Sequence, residues 1–469
     1  MEELHSMLNP HVVAHVGASE SGLYPAGIFE SLLASELELF AVNPNRPTVF
    51  GHTSYKSVAD LPKVPDLALI TVDRRHVGKI LTECASAGIR AAVIITSGFA
   101  EAGLEGAAFQ AELESFAGKL LLLGPNCAGF ANIQGRIIAT RFAGTIGEAG
   151  ISFVSQSGAL MMALHGSFAS RGAGMRYLVS VGNQLDLRVE DLLQYFATDK
   201  DTRVSSAFIE SVKDGRAFIR ALEANRNAGK PVVLVKAGRT EIGSRLAATH
   251  TAAAAGEAKV FEAVCAQYGA ILVDDIDDLV STALLFDRFA SSSFRNMAWL
   301  TQSGGLGSLL GDHATKAGLS LEPFSAELQG ELRKCGLVPD YQTIHNPVDL
   351  RGDLMRGSAL GDSLRPFMES TEVDSVGLLF AKSPWRPIEA ETVQAILDAR
   401  NETGKAIIVV WVGNTDASYL GAGPQPDEKR VSALALLVAS GIPVFFQASD
   451  ASRAIERVRR WAEVRDALL

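Results

Sequence analysis

Cysteine is scarce in this chain. Four occur in 469 residues, at Cys84, Cys127, Cys265 and Cys335. None forms a CxxC pair, so neither a disulfide framework nor a zinc-ligand spacing is indicated, and the thiols read as reduced in a cytoplasmic protein. No metal ligand set is expected on this chain. Long apolar runs are also missing, since no stretch approaches the ~18 residues needed to cross a bilayer. The opening MEELHSMLNP carries acidic residues and no apolar run, which argues against a signal peptide. Basic tracts are absent too. Lys and Arg number 43 against 53 Asp and Glu, a net charge of −10. That balance disfavours nucleic acid and anionic membrane as partners. What remains is ordinary globular stock, 47% hydrophobic and 20% charged, enough chain for roughly three domains.

Strand-like and helix-like runs alternate from the start. HVVAHVGAS, LELFAVNPN, DLALITV, AAVIITSGFAE and KLLLLGPNCAG read as strands ending in small-residue turns, with helical stretches such as PAGIFESLLAS and HVGKILTECASAG between them. The series predicts an α/β fold with a parallel, doubly wound, Rossmann-like sheet. Ligands bind such sheets beyond the carboxyl ends of the strands. Here those ends are Gly17-Ala18-Ser19, Asn43-Pro44, Thr96-Ser97-Gly98 and the turn at Asn126. A full GxGxxG is lacking. The acidic residue that would hold a nicotinamide ribose is lacking as well. Asn43 stands there, with Arg46 just beyond, and a cation suits a nucleotide bearing a ribose phosphate, such as coenzyme A or a phosphorylated dinucleotide.

After GTIGEAG the pattern restarts with ISFVSQSGALMMAL, and it restarts again with MAWLTQSGGLGSLL. AGKPVVLVKAGR is echoed by TGKAIIVVWVGN. Two similar α/β domains are therefore expected, the second lengthened around HNPVDLRGDLMRG. Boundaries fall at 1–145, 146–290 and 291–469. Each copy opens with strand, (S/T)QSG and helix. Small residues let backbone N–H groups approach an anion, and the helix end adds about half a positive charge. Ser157-Gly158-Ala159 and Ser303-Gly304-Gly305 are thus candidate phosphate turns.

The copies differ in chemistry. The strand SSAFIES carries Glu210 near its carboxyl end, where SVGLLFAKS offers Phe380. The first copy continues to Gly243–Gly256, GSRLAATHTAAAAG, in which His250 stands among small residues. Glycines at each end suggest a loop that approaches another surface closely, although an Ala-rich helix with one exposed His is the plainer reading. A carboxylate accepting from one imidazole nitrogen leaves the other as nucleophile, which pairs Glu210 with His250. The alternative for Glu210 is an ion pair with Lys213 or Arg216.

Together these motifs resemble the NDP-forming acyl-CoA synthetases, relatives of succinyl-CoA synthetase, over essentially the whole chain. VGAS, VNP, SGFAE and GPNCAG are similar to the family's CoA-binding domain. VSQSGAL, VGNQLDL, FIESVKDGRAF and VKAGR follow in order, then THT, then TQSGGLG and NPVDL. The resemblance implies two flavodoxin-like domains after the CoA-binding one. It implies that His250 is the phosphohistidine and Glu210 its orienting carboxylate. Both SG turns would hold its phosphate, and Gly17, Ala18, Ser19, Glu20, Ser21, Asn43, Pro44, Arg46, Thr96, Ser97, Gly98 and Asn126 would contact coenzyme A. Thr249 and Ala252 depart from the family's usual Ser and Gly. The family also needs an ATP-grasp domain for ADP or ATP and Mg²⁺, and no region of the 469 residues is left over for one, so a partner subunit in a hetero-oligomer is implied. Rival readings are a CoA- or acyl-CoA-binding regulatory protein, a nucleotide-independent acyl or carbamoyl transferase, and a dehydrogenase.

Overall fold

The computed structural model describes residues 1–141, 147–251, 258–289, 294–381, 389–412 and 428–468, with the side chains of 247–251, 428–432 and 466–468 outside that description. It divides into two compact units. One holds Met1–Ser170 and Gly174–Leu279, the other Arg171–Ala173 and Val280–Leu469.

The first unit contains two sheets. Val12–Val16, Leu67–Ile70 and Ala91–Ile94 are buried at every position, as expected of parallel strands covered on both faces. The parallel core of the first sheet runs Glu38–Val42, Val12–Val16, Leu67–Ile70, Ala91–Ile94, Leu121–Leu123. Its order reverses between Val12–Val16 and Leu67–Ile70, the place where a doubly wound sheet opens a crevice. The helix Arg74–Ala87 that follows Leu67–Ile70 is sharply bounded. Asp73 caps its start by accepting from the Arg75 N–H, and Gly88, at φ 83°, ends it in the left-handed region.

The second sheet runs Ile271–Val273, Val232–Lys236, Val204–Ile209, Glu148–Ser155, Met175–Ser180, followed by the hairpin Gly129–Asn132 and Ile137–Thr140. The hairpin pairs antiparallel with Met175–Ser180. The first sheet therefore ends at Leu121–Leu123, and the segment that follows it, inside the 1–145 span read from the sequence, joins the second sheet. Its apolar side chains Phe130, Ile137 and Ala139 belong to a core shared by both sheets, with Val13, Leu69, Val93, Tyr177 and Val179.

The second unit repeats the second sheet. Its order is Val444–Phe445, Ala406–Val412, Ser375–Ala381, Met297–Thr301, Val348–Asp349, position for position the order of the first copy without the hairpin. The added length lies mainly before NPVDL, where helix Ala326–Lys334 stands between helix Gly304–Ala317 and strand Val348–Asp349. Every pairing within this five-stranded sheet is parallel, so both copies are flavodoxin-like, as anticipated.

Gly182 shows how tightly the two sheets of the first unit are joined. It sits at φ 52°, and a Cβ there would lie 2.3 Å from the Pro125 carbonyl oxygen and 2.4 Å from that of Asn126. Backbone atoms cannot yield as a side-chain tip can. Gly182→Ala is expected to cost roughly 3 kcal/mol. Urea unfolding would show this as a lower midpoint at unchanged slope, and an unmoved midpoint would contradict it.

Candidate functional site

A cavity of about 1000 Å³ opens in the first unit where both sheets present strand ends. One wall is Thr71 to Arg75, Ile95 to Gly98 and Asn126 to Ala128. The other is Gln156 to Ala159. Of the residues named from the sequence, Thr96, Ser97, Gly98, Asn126, Ser157, Gly158 and Ala159 meet here. Gly17 to Ser21, Asn43, Pro44 and Arg46 do not line this cavity. They form a neighbouring turn. The Asn43 amide donates to the Ala18 carbonyl at 2.8 Å, and Glu20 accepts from the Phe50 N–H at 2.7 Å. Gly17 backs the cavity wall, since a Cβ there would approach the Thr71 hydroxyl to 2.9 Å.

Sequence reasoning missed the end of the third strand, where VDRRH supplies Asp73, Arg74 and Arg75. The signal was present, because that strand lies at the reversal point of the sheet. Arg74 lies over the Phe109 ring at 4.9 Å. It donates to the Gly98 carbonyl at 2.7 Å and to Glu105 at 2.8 Å. Thr71 is held by His15, whose Nε2 lies 2.9 Å from the hydroxyl. Full burial pulls the His15 imidazole down to about 3, so it stays neutral. Cys127 is buried as well, and desolvation pushes its thiol up to about 12, which removes it as a nucleophile at neutral pH.

The turn Ser155 to Gly158 is built by its own side chains. The Ser155 hydroxyl accepts from the Ser157 N–H at 3.0 Å and donates to the Ser157 carbonyl at 2.7 Å. The Ser157 hydroxyl accepts from the Leu160 N–H at 3.3 Å, at the head of helix Gly158–Ser170. The second copy reproduces this with Thr301 and Ser303, whose hydroxyl accepts from Leu306 N–H at the head of helix Gly304–Ala317. The neighbouring strand distinguishes the copies. Ser155 is opposite Ser180, and Thr301 is opposite Asp349. Ser180 presents a buried hydroxyl with no hydrogen-bond partner among the described residues. The Asp349 carboxylate instead lies beside Gly304, where a Cβ would come within 3.1 Å of its Oδ2. The second helix end thus has a carboxylate of the chain beside it, and among the described residues no such carboxylate is shown at the first.

Glu210 follows Val204–Ile209 directly, beside Gln156. The Gln156 side-chain oxygen accepts from the Glu210 N–H at 2.6 Å and the Ser211 N–H at 2.9 Å, while its amide donates to the Ser211 carbonyl at 2.6 Å. Lys236, with 8% of its surface exposed, donates to the Glu210 carbonyl at 2.8 Å, and burial pulls its ammonium below the usual lysine range. The sheet order reverses between Glu148–Ser155 and Val204–Ile209, so the SQSG turn and Glu210 flank the crevice. Register corrects the sequence comparison. Ser155 pairs with Phe208 and Thr301 with Leu379, so Glu210 corresponds to Ala381 and not to Phe380. Lys236 pairs with Ile209 and Trp411 with Phe380, so Lys236 corresponds to Trp411. The second copy lacks both polar groups.

His250 lies in the last turn of helix Glu241–Thr251. The expectation of a loop over Gly243–Gly256 is corrected for its first nine residues, which continue a helix in which Arg245, Leu246, Ala247 and Ala248 are strong helix formers. The His250 side chain, and residues 252–257 with Ala252 and Gly256, lie outside the described residues. The helix packs on the turn Ala100–Ala102, next to the cavity loop that ends at Gly98.

Comparison with known proteins follows the same division. Residues 11–133 match the CoA binding domain family and residues 148–286 the succinyl-CoA ligase like flavodoxin domain. Acetate–CoA ligase [ADP-forming] II subunit alpha of Pyrococcus furiosus is 32% identical over 461 residues, covering 96% of each chain. The chain belongs to the ADP-forming acetate–CoA ligase family. Acetate–CoA ligase [ADP-forming] I of Archaeoglobus fulgidus is also 32% identical, over 98% of this chain, but the chain spans only 64% of that family member's length. Among solved structures, the dinucleotide-forming acetyl-coenzyme A synthetase 1 of Ca. Korarchaeum cryptofilum, in complex with phosphate and ADP, superposes with a TM-score of 0.87 at 29% identity, covering 99% of this chain and 98% of that one.

Proposed function

We propose that this chain is the CoA-binding, phosphohistidine-carrying subunit of an NDP-forming acyl-CoA synthetase, an acid–thiol ligase. One observation carries the reading. A single cavity is walled on one side by strand ends of the CoA-type sheet and on the other by the SQSG helix end. In the synthetic direction phospho-His250 passes its phosphoryl group to a carboxylate oxygen. The CoA thiol, losing its proton, then attacks the acyl carbon, the carbon–oxygen bond to phosphate breaks, and inorganic phosphate leaves. The turn Ser157 to Ala159 receives the phosphate with backbone N–H groups at a helix end, and the Ser180 hydroxyl adds a donor. Ser303 to Gly305 form the corresponding turn of the second copy, made less anion-receptive by Asp349. Glu210 holds the proton of the far His250 nitrogen. Arg74 and Arg75 supply positive charge for the CoA phosphates.

The remaining nucleotide chemistry, with ADP or ATP and Mg²⁺, is assigned to an ATP-grasp beta subunit, in keeping with the alpha-subunit names of the Pyrococcus furiosus relatives. The free cysteines suit a cytoplasmic setting. The direct test is nucleotide-free. The purified chain is expected to convert acetyl phosphate and CoA to acetyl-CoA and phosphate, and failure to do so with a folded protein would count against the reading.

Ligand choice is tested separately by calorimetry with CoA, dephospho-CoA and NAD. CoA is expected to bind tightest, and Arg46→Ala is expected to weaken CoA more than dephospho-CoA. Tighter binding of NAD would return the first domain to the dehydrogenase reading.

A further inference from the structure

One cluster of polar groups in the first unit is used by no step above. Glu101 turns its carboxylate back on its own loop, where Oε1 accepts from the Gly98 N–H at 2.6 Å and the Phe99 N–H at 3.2 Å. Its other oxygen accepts from the Asn183 side-chain amide at 2.5 Å. The same Asn183 nitrogen reaches the Gln110 side-chain oxygen at 2.8 Å, and that oxygen also takes the Ala100 N–H at 3.3 Å. Asn183 accepts in turn from the Asn126 side chain at 3.2 Å. Its backbone N–H donates to the Pro125 carbonyl at 2.9 Å. From the far side, Lys213 donates to the Asn183 and Gln184 carbonyls, both at 2.8 Å. Lys213 stands three residues after Glu210.

These bonds form one path. It starts at the cavity loop Thr96 to Phe99, crosses to the turn Gly182 to Gln184 of the second sheet, and ends on the segment that begins with Glu210. In the sequence Glu101, Asn183 and Lys213 stand in SGFAE, VGNQLDL and FIESVKDG, and the strand-edge reading brings Asn183 near Glu210 but does not bring Glu101 to it. We propose that Glu101 and Asn183 form a positioning bridge that registers the CoA-side loop against the phosphate side of the cavity, so that thiol and acyl phosphate are held at reacting distance. The proposal rests on the functional reading above. Neither residue touches the reacting atoms in this account. A misplacement of about 1 Å at such a site is enough to cost on the order of 100-fold in rate, and charge-assisted bonds from amides to a carboxylate are the stronger kind that can fix a loop.

The test uses the full chain with Glu101→Gln, Asn183→Ala and the double variant. Three quantities are read on each: CoA affinity by calorimetry, kcat and KM for CoA in the conversion of acetyl phosphate to acetyl-CoA, and the yield of protein-bound label from ³²P-acetyl phosphate without CoA. Either single variant is expected to raise KM for CoA or lower kcat at least tenfold, while label yield stays within twofold of wild type. The double variant is expected to be no worse than the poorer single one, because both break the same bridge. Unchanged CoA kinetics in both singles would overturn the proposal, and so would additive losses in the double. A parallel fall of label, kinetics and melting temperature would mark the pair as structural supports and overturn it as well. Should one variant not fold, the other decides. If the wild-type chain binds CoA but takes no label and turns over no acetyl phosphate, the functional reading has failed, and the calorimetric ratios alone decide the bridge, with unchanged CoA affinity overturning it.

Discussion

Given a carboxylic acid, CoA, ATP and Mg²⁺, the purified 469-residue chain is expected to form no thioester above background until an ATP-grasp partner is added. The reason lies in where the described residues go. Three sheets take them up, one with the order of a dinucleotide-type fold and two with the same flavodoxin-like order. The anion-receptive helix end at Gly158 belongs to the cavity shared with the CoA-type sheet. Transfer of a γ-phosphoryl group needs a clamp on the triphosphate and a positioned metal ion, and no part of these sheets has been assigned to either. The Archaeoglobus fulgidus relative, of which this chain spans 64%, is the longer arrangement. Adding a beta-type subunit is expected to switch turnover on. Steady ATP-dependent thioester formation by the chain alone would contradict the account.

Glu210→Gln is expected to slow phosphorylation of the protein by acetyl phosphate on the order of 100-fold, by analogy with the upper range for losing a partner that orients a metal-ligating imidazole. The backbone at position 210 is held by the Gln156 side chain and by Lys236 Nζ, and the Glu210 carboxylate also favours the charged form of Lys236. Gln keeps the shape and removes the charge that stabilises a proton on the far imidazole nitrogen. The binding turn at Ser157 is untouched, so KM for acetyl phosphate is expected to stay within about threefold while the rate falls. An equal rise in KM with no change in rate would place Glu210 in substrate binding instead.

The fold was legible because it is written in periodic, redundant signals. Strands such as DLALITV and SAFIES are apolar runs closed by small residues, and the duplication shows twice in the same order of motifs. The two SG turns were legible for a related reason, since a short polar turn between strand and helix has few structural options. What stayed hidden depends on pairing between distant segments. Register makes Ala381, not Phe380, the equivalent of Glu210 in the second copy, a one-residue difference that the residue pattern alone does not specify. The hairpin Gly129–Asn132 and Ile137–Thr140 joins the second sheet through antiparallel pairing with Met175–Ser180, a contact with no local signature. Arg74 and Arg75 were overlooked because a charged pair after a strand looks like the exposed start of a helix, which it also is. The helical state of His250 agrees with the plainer reading of an Ala-rich segment.

The measurement that tests the central claim most directly is the location of the phosphoryl group. The chain is incubated with ³²P-acetyl phosphate without CoA or nucleotide, then split into acid and alkaline treatments and mapped by peptide mass spectrometry. The account predicts a label that survives alkali and is lost in acid, as a phosphoramidate is. It predicts that the label maps to His250, that His250→Ala abolishes it, and that His250→Ala still binds CoA. Undiminished labelling of His250→Ala would place the carrier elsewhere and contradict the account.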